Sequence, residues 1–374
     1  MENRKPVLVH EYLTRLGGAE RVLARIAHLF PEAPIYTLLY SEQKTGSVFP
    51  RSRVKTSFLQ RFPRFLQKRV KFLAPLCPSA VEAFDLSKHR LVISSSNSFA
   101  KGVIIKPQTM HVCYCHAPST FVWDVFHSYR KDQRKGGIMN FGINLVAHYL
   151  RQWDRQAADR VDYFIANSQT TQKRIQKFYR RDSEVIYPPV DVARITPTRE
   201  NDGFFLIVSQ LTPYKRIDIA VEAFNKLGLP LVVVGDGPER KRLEKMAASN
   251  VTFTGFLTDE EVVDYYQRCR GFVFAGSDDF GIAPVEAMAA GKPVLAYRDG
   301  GATETVIEGV TGEFFDAPIV ELLADGVRRM LENESGYDPE TIRAQAEKFS
   351  AEEFDRQIQE YIERAYTEYS AQYE

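Results

Sequence analysis

Short apolar runs and amphipathic stretches alternate along the first half of the chain. Pro6–His10 has the composition of a short buried strand, and Ala19–Phe30 has the spacing of an amphipathic helix. The pair Gly17-Gly18 lies in the turn between them. Strand, glycine turn and helix in this order are typical of the start of a Rossmann-like unit. Further strands are predicted at Leu91–Ser94, Met110–Cys115 and Tyr163–Ala166.

The second half repeats this alternation with clearer boundaries, which indicates a parallel, doubly wound sheet. The predicted strands are Phe204–Ser209, Leu231–Val234, Val251–Phe253, Gly271–Ala275 and Val294–Tyr297. The predicted helices are Ile217–Leu227, Glu239–Ala248, Asp259–Arg268, one that begins near Ala283, Ile319–Asn333 and Ala351–Tyr369.

The length of the chain indicates two domains, because 374 residues exceed one ordinary hydrophobic core. The paired prolines within Val185–Val190 suit a stiff, extended linker. We therefore expect an α/β protein with a Rossmann-like domain over 1–190 and a second over 191–350, facing each other across a cleft.

Composition narrows the class of protein. A formal net charge of +1 argues against nucleic-acid binding, because a surface that follows phosphates carries a strong basic excess. The four cysteines lack the paired spacing of a zinc site, so buried, reduced thiols are expected. The N-terminus has no apolar signal core, and no apolar run reaches membrane-spanning length, which predicts a cytoplasmic protein.

One stretch departs from this even charge, since no acidic residue occurs from Gln43 to Val81. Within it, residues 51–71 interleave apolar side chains with arginine and lysine, a pattern that suits an anionic membrane surface. The alternative is an ordinary amphipathic helix with a solvated face. Peripheral contact with the inner face of the cytoplasmic membrane is therefore expected through 51–71. The apolar members are Phe58, Leu59, Phe62, Phe65 and Leu66.

Polar and glycine clusters follow the predicted strands of the second half. Ligands of doubly wound sheets bind beyond the carboxyl ends of the strands, so these clusters predict a ligand-binding rim. They are Gln210–Arg216, Gly235–Pro238, Gly255–Phe256, Ser277–Glu286 and Asp299–Glu304.

The cluster Ser277–Glu286 is the most informative. Gly281 permits close backbone approach, and the free N–H groups of Gly281 and Ile282 at the helix start can hold a diphosphate. Asp278 precedes the helix and can reach a sugar, whereas Glu286 can accept bonds from ribose hydroxyls. The alternative, that both acids only cap the helix, leaves the surrounding glycines unexplained.

Cationic and imidazole groups occur at other predicted strand ends. Lys215 and Arg216 supply the charge that a leaving diphosphate needs, or they are two exposed charges. His116 follows a predicted strand and suits hydrogen bonding to a hydroxyl, although a lone histidine is usually structural. Trp123 and Asp124 either line a sugar pocket or simply pack.

A nicotinamide dinucleotide enzyme is disfavoured. Gly235-Asp236-Gly237 is a weak dinucleotide fingerprint, because Arg240 stands where its third glycine belongs.

Several longer motifs occur together in one order, namely LTRLGGAERV, YCHAPSTFVWD, ANSQTTQKRI, LTPYKRIDIAVEAF, VVVGDGPE and DDFGIAPVEAMAAGKPVLAYRDGGATETV. With them, nearly the whole chain resembles the family 4 glycosyltransferases, which are retaining, metal-independent enzymes of the GT-B fold. The resemblance implies no cofactor, a nucleotide sugar as substrate, and a last helix, within 351–374, that crosses back to the first domain.

The resemblance also implies roles for single residues. Glu286 matches the family's ribose-binding acid, Asp278 its donor-sugar acid and Lys215 its phosphate-binding lysine. His116 matches the histidine of the cleft. The expected catalytic residues are Asp278, His116, Lys215 and Arg216. The expected donor-binding residues are Gly17, Gly18, Gln210, Gly235, Gly237, Phe256, Phe280, Gly281, Ile282 and Glu286.

Three positions depart from the family pattern. Asp278 replaces a glutamate and is one methylene shorter, and Gln210 replaces an arginine beside the phosphates. Thr120 also lacks the arginine found in similar members of the family.

The combination of HEYLTRLGGAER, YCHAP and DFGIAPVEA is most similar to bacterial mannosyltransferases that build lipid-linked surface polysaccharide. This implies GDP-mannose as the donor and a saccharide or polyprenyl-diphosphate-linked acceptor. No residue stands out as a covalent nucleophile, which favours front-face displacement. The alternatives are a UDP-sugar-dependent transferase of the same fold, a GT-B sugar-nucleotide epimerase or phosphorylase, and a non-catalytic binding module.

Overall fold

The computed structural model describes residues 5–67, 69–123 and 137–372. The chain divides into two compact units: Met1–Tyr187 together with Asp355–Glu374, and Pro188–Phe354. Each unit contains one sheet of parallel strands. The predicted α/β fold with two Rossmann-like halves is therefore confirmed.

The sheet of the first unit has seven strands, of which the central ones are almost fully buried. They are β1 Pro6–Leu13, β2 Ile35–Tyr40, β3 Val54–Thr56, β4 Leu91–Ser96, β5 Met110–Cys115, β6 Tyr163–Ala166 and β7 Ser183–Val185. Their order is β3-β2-β1-β4-β5-β6-β7. Successive strands are therefore added on one side of β1 up to β3 and on its other side from β4 onwards. This makes the carboxyl ends of β1 and β4 the switch point of the sheet.

The sheet of the second unit has six strands. They are β8 Phe205–Val208, β9 Leu231–Val234, β10 Val251–Gly255, β11 Gly271–Phe274, β12 Val294–Tyr297 and β13 Gly312–Phe315. Their order is β10-β9-β8-β11-β12-β13, so the switch point lies between β8 and β11. The predicted site clusters follow five of these strands in sequence.

Helices connect the strands in both units. The longer ones are α1 Gly18–Leu29, α2 Gly137–Asp159, α3 Gln169–Tyr179, α4 Ile217–Leu227, α5 Arg240–Met246, α6 Asp259–Arg268, α7 Ile282–Ala289, α8 Val320–Glu332, α9 Pro339–Glu347 and α10 Ala351–Ser370. Shorter ones are Glu42–Thr45, Arg64–Gln67, Val70–Leu73, Cys77–Glu82, Thr120–Trp123 and Ala302–Thr305.

The last helix, α10, begins in the second unit and belongs to the first from Asp355 onwards. Arg25 of α1 forms a two-bond ion pair with Asp355, with N–O distances of 2.7 and 2.6 Å. The Tyr361 hydroxyl donates to the carbonyl of Phe164 at 3.3 Å. These contacts tie the helix to the first unit.

Residues 51–71 do not form one amphipathic helix. They contain a 3-10 turn at Arg51–Arg53, the strand β3, a second turn at Phe58–Arg61 and the short helix Arg64–Gln67. Leu59 is fully buried, whereas Phe58 and Phe65 are exposed. The alternative of a single amphipathic helix is therefore wrong. Lys68 lies outside the described residues.

The four cysteines are buried and free, as predicted. Within the described part of the chain, no helix combines the length and the apolar composition needed to cross a bilayer.

Candidate functional site

Lys215 and Asp278 meet at the switch point of the second sheet. Lys215 follows β8 and Asp278 follows the neighbouring β11, and the ammonium group of the lysine contacts the Asp278 carboxylate as an ion pair. Their side chains are only 14% and 23% exposed. Gly276 allows this approach, because a Cβ there would lie 2.8 Å from the Cα of Lys215. Two predicted catalytic residues, 63 positions apart, are thus in direct contact.

The start of α7 lies beside this pair in sequence. Gly281 precedes the helix with φ +86°, a left-handed conformation that favours glycine. The first N–H groups of a helix have no partner within it and carry its positive partial charge, so this end can bind an anion. Phe280 is 3% exposed, with its ring against Phe349. Phe280, which is one of the predicted donor-binding residues, can therefore contact a ligand only through its backbone.

Two further glycines hold the segment that contains Asp278. The N–H of Gly301 donates to the Asp278 carbonyl at 2.9 Å. A Cβ on Gly301 would lie 2.2 Å from the Cα of Phe280, and one on Gly300 would lie 2.3 Å from the Asp278 carbonyl oxygen. Both glycines belong to the predicted cluster Asp299–Glu304, but no role was predicted for them.

Glu286 is held by two side chains that the sequence did not indicate. Arg194 donates to Oε1 at 3.0 Å, and the Tyr266 hydroxyl donates to Oε2 at 3.0 Å. Burial, followed by the charge of Glu286, raises the pKa of Tyr266 well above its ordinary value, so the hydroxyl stays a donor. Arg194 and Tyr266 lie 92 and 20 positions from Glu286, which explains the lack of a local signal.

Backbone packing alone explains why glycine stands at positions 235 and 237, without a ligand. Gly235 has φ +128°, and a Cβ there would lie 2.0 Å from the carbonyl oxygen of Ser209. A Cβ on Gly237 would lie 2.3 Å from the carbonyl oxygen of Leu211. The loops after β8 and β9 thus approach each other backbone to backbone.

The other predicted residues of the rim differ in their surroundings. Gln210 is exposed, and Phe256, which follows β10, is 86% exposed. The Arg216 guanidinium contacts Asp218 at 3.3 Å and donates to the Pro318 carbonyl at 3.2 Å. Arg216 is thus engaged next to the site, while Lys215 carries the contact with Asp278.

His116 follows β5 in the first unit and is 7% exposed. Its Nε2 lies 2.8 Å from the Ser95 hydroxyl. Burial, followed by the nearby charge of His10, lowers the pKa of His116 to about 3, so the ring is neutral. The predicted histidine is therefore a buried, hydrogen-bonded group at the carboxyl end of its sheet.

The loop that contains Gly17-Gly18 is tied to α1. The Gly17 N–H donates to Glu20 Oε2 at 2.8 Å, and this bond caps the helix. Gly17 thus uses its own N–H within the protein. Trp123 donates from Nε1 to Asp154 at 2.8 Å, and Asp124 lies outside the described residues.

Family models match the chain in two adjoining parts. The model described as Glycosyltransferase Family 4 matches residues 16–194. The model described as Glycosyl transferases group 1 matches residues 192–349.

Two relatives match part of the chain. The chain is 30% identical over 258 residues to O-antigen chain mannosyltransferase C of Escherichia coli, covering 63% of this chain and 66% of that protein. It is 37% identical over 142 residues to the GDP-mannose-dependent alpha-(1-6)-phosphatidylinositol monomannoside mannosyltransferase of Mycobacterium tuberculosis, covering 33% and 37%. The chain thus covers less than two thirds of either relative.

A solved structure, Anabaena HepE in complex with UDP-glucose, matches with a TM-score of 0.70 and 20% identity. The match covers 96% of this chain and 99% of that chain. At this identity the likeness concerns the fold alone, and the predicted GT-B fold is confirmed.

Proposed function

Because the chain belongs to glycosyltransferase family 4, we propose that it transfers a hexose from a nucleoside diphosphate to a hydroxyl of a saccharide or lipid-linked saccharide. The transfer retains the anomeric configuration and needs no metal. The observation that carries this proposal is the contact between Lys215 and Asp278 at the switch point, next to the start of α7. A cation, an acid and free helix N–H groups together suit a sugar diphosphate.

Positively polarised groups bind the diphosphate of the donor, and carboxylates bind its hydroxyl groups. Lys215 and the N–H groups of Gly281 and Ile282 hold the diphosphate, and Glu286 accepts hydrogen bonds from the ribose hydroxyls. Arg194 and Tyr266 support the second role, because they fix the Glu286 carboxylate from two directions. Asp278 orients the sugar, and the donor diphosphate competes with it for Lys215.

The reaction breaks the bond between the anomeric carbon and the diphosphate oxygen and forms a bond to the acceptor oxygen on the same face of the sugar. The acceptor proton passes to the departing diphosphate. Lys215 and the start of α7 stabilise the negative charge that develops there. His116 donates a hydrogen bond to a substrate hydroxyl.

GDP-mannose is the proposed donor, since both relatives above are named mannosyltransferases and one name includes GDP-mannose. A UDP-sugar is the alternative, supported by the fold neighbour in complex with UDP-glucose. Thermal unfolding with GDP-, UDP- and ADP-sugars distinguishes them, because a ligand that binds the folded state raises Tm. We expect GDP-mannose to raise it most.

Glu286→Gln tests the site itself. Loss of a charged acceptor for ribose lowers kcat/KM for the donor by about 10- to 100-fold, the size expected for a hydrogen bond to a charged group. Glu313→Gln is a matched control, because Glu313 is also buried and also bonds one arginine and one tyrosine, Arg329 and Tyr337. Its kcat/KM stays within about twofold of wild type.

Four outcomes contradict the proposal. Equal kcat/KM for wild type and Glu286→Gln removes Glu286 from the donor site. Epimerisation of the donor sugar without any acceptor favours an epimerase, and the absence of both hydrolysis and transfer with every donor favours a binding module. Inversion in the product, seen by NMR of its anomeric proton, overturns retention.

A membrane-bound acceptor is supported by one segment of the first unit, whose exposed apolar and basic residues we call the basic aromatic surface. Its apolar members Phe58, Phe65, Phe72 and Leu76 are 40–67% exposed. Exposed basic residues surround them in sequence: Arg51, Lys55, Arg61, Arg64 and Arg69. We propose that this surface binds an anionic membrane from the cytoplasmic side.

A further inference from the structure

A line of buried polar side chains in the first unit ends at His116. It begins at Glu20 on α1, continues through His10 on β1 and Ser95 on β4, and reaches His116 after β5. His10 and Ser95 are paired residues of adjacent strands. All four residues are at most 8% exposed.

The distances within this line are short. Glu20 Oε1 lies 3.6 Å from His10 Nε2. His10 Nδ1 lies 3.0 Å from the Ser95 carbonyl oxygen and 3.2 Å from the Ser95 hydroxyl. That hydroxyl lies 2.8 Å from His116 Nε2. The line therefore connects the first helix to His116 through one imidazole and one hydroxyl.

The partners of His10 determine where its protons lie. A carbonyl oxygen only accepts hydrogen bonds, so Nδ1 of His10 carries a proton. Nε2 faces an ionised carboxylate, which also only accepts. Burial opposes a charge on His10, but the hydrogen bond to Glu20 and the charges of Glu11 and Glu20 raise its pKa overall. His10 therefore directs an Nδ1–H toward Ser95 and its Nε2 toward Glu20.

The Ser95 hydroxyl links the N–H of His10 to the ring of His116. It accepts from His10 Nδ1–H, so its own hydrogen is free to point to His116 Nε2. Ser95 is the hydrogen-bond partner of the His116 ring among the described residues. A neutral His116 that accepts at Nε2 carries its single proton on Nδ1.

We propose that His10, held by Glu20, is a positioning residue that fixes His116 in its Nδ1–H tautomer. His116 then serves as a hydrogen-bond donor to a substrate oxygen and not as the base that removes the acceptor proton. The substrate part of this inference rests on the proposed glycosyl transfer, whereas the tautomer itself does not.

NMR of the full chain with ¹⁵N-labelled histidine tests the tautomer without any substrate. We expect a protonated Nδ1 and an unprotonated Nε2 in His116, whose signals His116→Gln identifies by their loss. Ser95→Ala removes the hydroxyl that donates to His116, and His10→Leu removes the group that orients this hydroxyl. In both variants the Nε2–H tautomer of His116 becomes more populated. His10→Asn keeps an amide donor toward the Ser95 carbonyl and restores the Nδ1–H form. His89→Asn is the control, because the side chain of the partly exposed His89 bonds the Lys5 carbonyl, at 2.9 Å, and lies outside this line.

Kinetics test the consequence for turnover. His10→Leu lowers kcat by about tenfold, the size of one hydrogen bond, while KM for the nucleotide sugar stays within about twofold. His10→Asn recovers most of kcat. A purely structural role of His10 would lower the amount of folded enzyme and would leave kcat per folded molecule unchanged.

An Nε2–H tautomer in the wild type overturns the proposal, as does an unchanged tautomer in both Ser95→Ala and His10→Leu. If His10→Leu does not fold, the wild-type spectrum and Ser95→Ala decide. If the tautomer is as expected but no nucleotide sugar is turned over, the assignment of His116 stands and the proposed glycosyl transfer fails.

Discussion

At the scale of single residues, buried histidines make the first unit sensitive to acid. His111 is fully buried on β5, where Nε2 lies 2.7 Å from the Ser94 hydroxyl. Nδ1 of the same ring has no hydrogen-bond partner among the described residues. Burial is the main reason that the pKa of His111 falls to about 3, as it is for His116. In the unfolded chain both groups titrate near 6.5.

The sign of the pH dependence follows from these values. Between about pH 3 and 6.5 the unfolded chain binds more protons at His111 and His116 than the folded chain. Stability therefore falls as the pH is lowered through this range. His10, whose pKa is raised, acts in the opposite direction, and its contribution is lost as pH rises.

We predict that His111→Gln makes stability less dependent on pH. The neutral amide removes one titrating group, so the slope of the unfolding free energy between pH 5 and 6 decreases by about 1.4 kcal/mol per pH unit. Urea unfolding at several pH values measures this slope, and the common contribution of His10 cancels between variants. His89, which is only partly buried, provides the control His89→Gln. Equal slopes for wild type and His111→Gln would show that His111 is not buried in its neutral form.

At the scale of elements, the start of α7 links backbone conformation to donor binding. Gly281 has φ +86°, and a Cβ there would lie 3.2 Å from the ring of Phe274. An L-residue is strained in this conformation, so a substitution shifts the first turn of the helix. The N–H groups proposed to hold the diphosphate belong to that turn.

We predict that Gly281→Ala destabilises the protein by about 1 kcal/mol and weakens nucleotide-sugar binding. Gly203→Ala is the matched control, since Gly203 has φ +81° with open space around its missing Cβ. Both variants lose stability in urea unfolding, but only Gly281→Ala loses affinity in calorimetry with GDP-mannose. Unchanged affinity in Gly281→Ala would separate the helix start from the donor.

Elements with a local signal were predictable from the sequence. β9 was predicted with its observed bounds, because its run of apolar residues lies within the strand itself. β3 and β7 were missed, since each has three residues, partly exposed, and exists through pairing with a neighbour that is distant in the chain. β2 consists of six buried residues, five of them apolar, and was nevertheless not predicted.

The candidate site also contains residues that the sequence indicates and contacts that it does not. Lys215, Asp278 and Gly281 were predictable because each follows a strand that the sequence indicates. The contact between the first two depends on strand order, which no local pattern contains. Tyr266 approaches Glu286 from the buried face of α6, and a tyrosine on an amphipathic helix does not reveal its partner.

At the scale of the whole molecule, the basic aromatic surface concentrates exposed aromatic rings in an acid-free stretch. Phe65 and Phe72 are 65% and 67% exposed. Aromatic rings insert at a membrane interface while arginine and lysine attract anionic headgroups, so both contributions act together.

We predict that the full chain sediments with phosphatidylglycerol-containing vesicles at low salt, and less with pure phosphatidylcholine vesicles. The double variant Phe65→Ser/Phe72→Ser lowers the partition coefficient at least about tenfold, because two apolar rings no longer leave water. Ile104→Ser is the control, since Ile104 is 55% exposed but lies outside this surface. Equal sedimentation of the double variant and wild type would contradict the proposed membrane contact.

The discontinuity of the first unit has a consequence for how the protein is made. Asp355 pairs with Arg25 across 330 positions, and the Tyr369 hydroxyl donates to the Thr109 carbonyl at 3.1 Å. The second unit, Pro188–Phe354, is continuous in sequence and is synthesised before Asp355–Glu374, the part of the chain that completes the first unit. Contacts of such long sequence separation form late, because the intervening chain must first be brought together. The unit that is synthesised first is therefore the last to be completed.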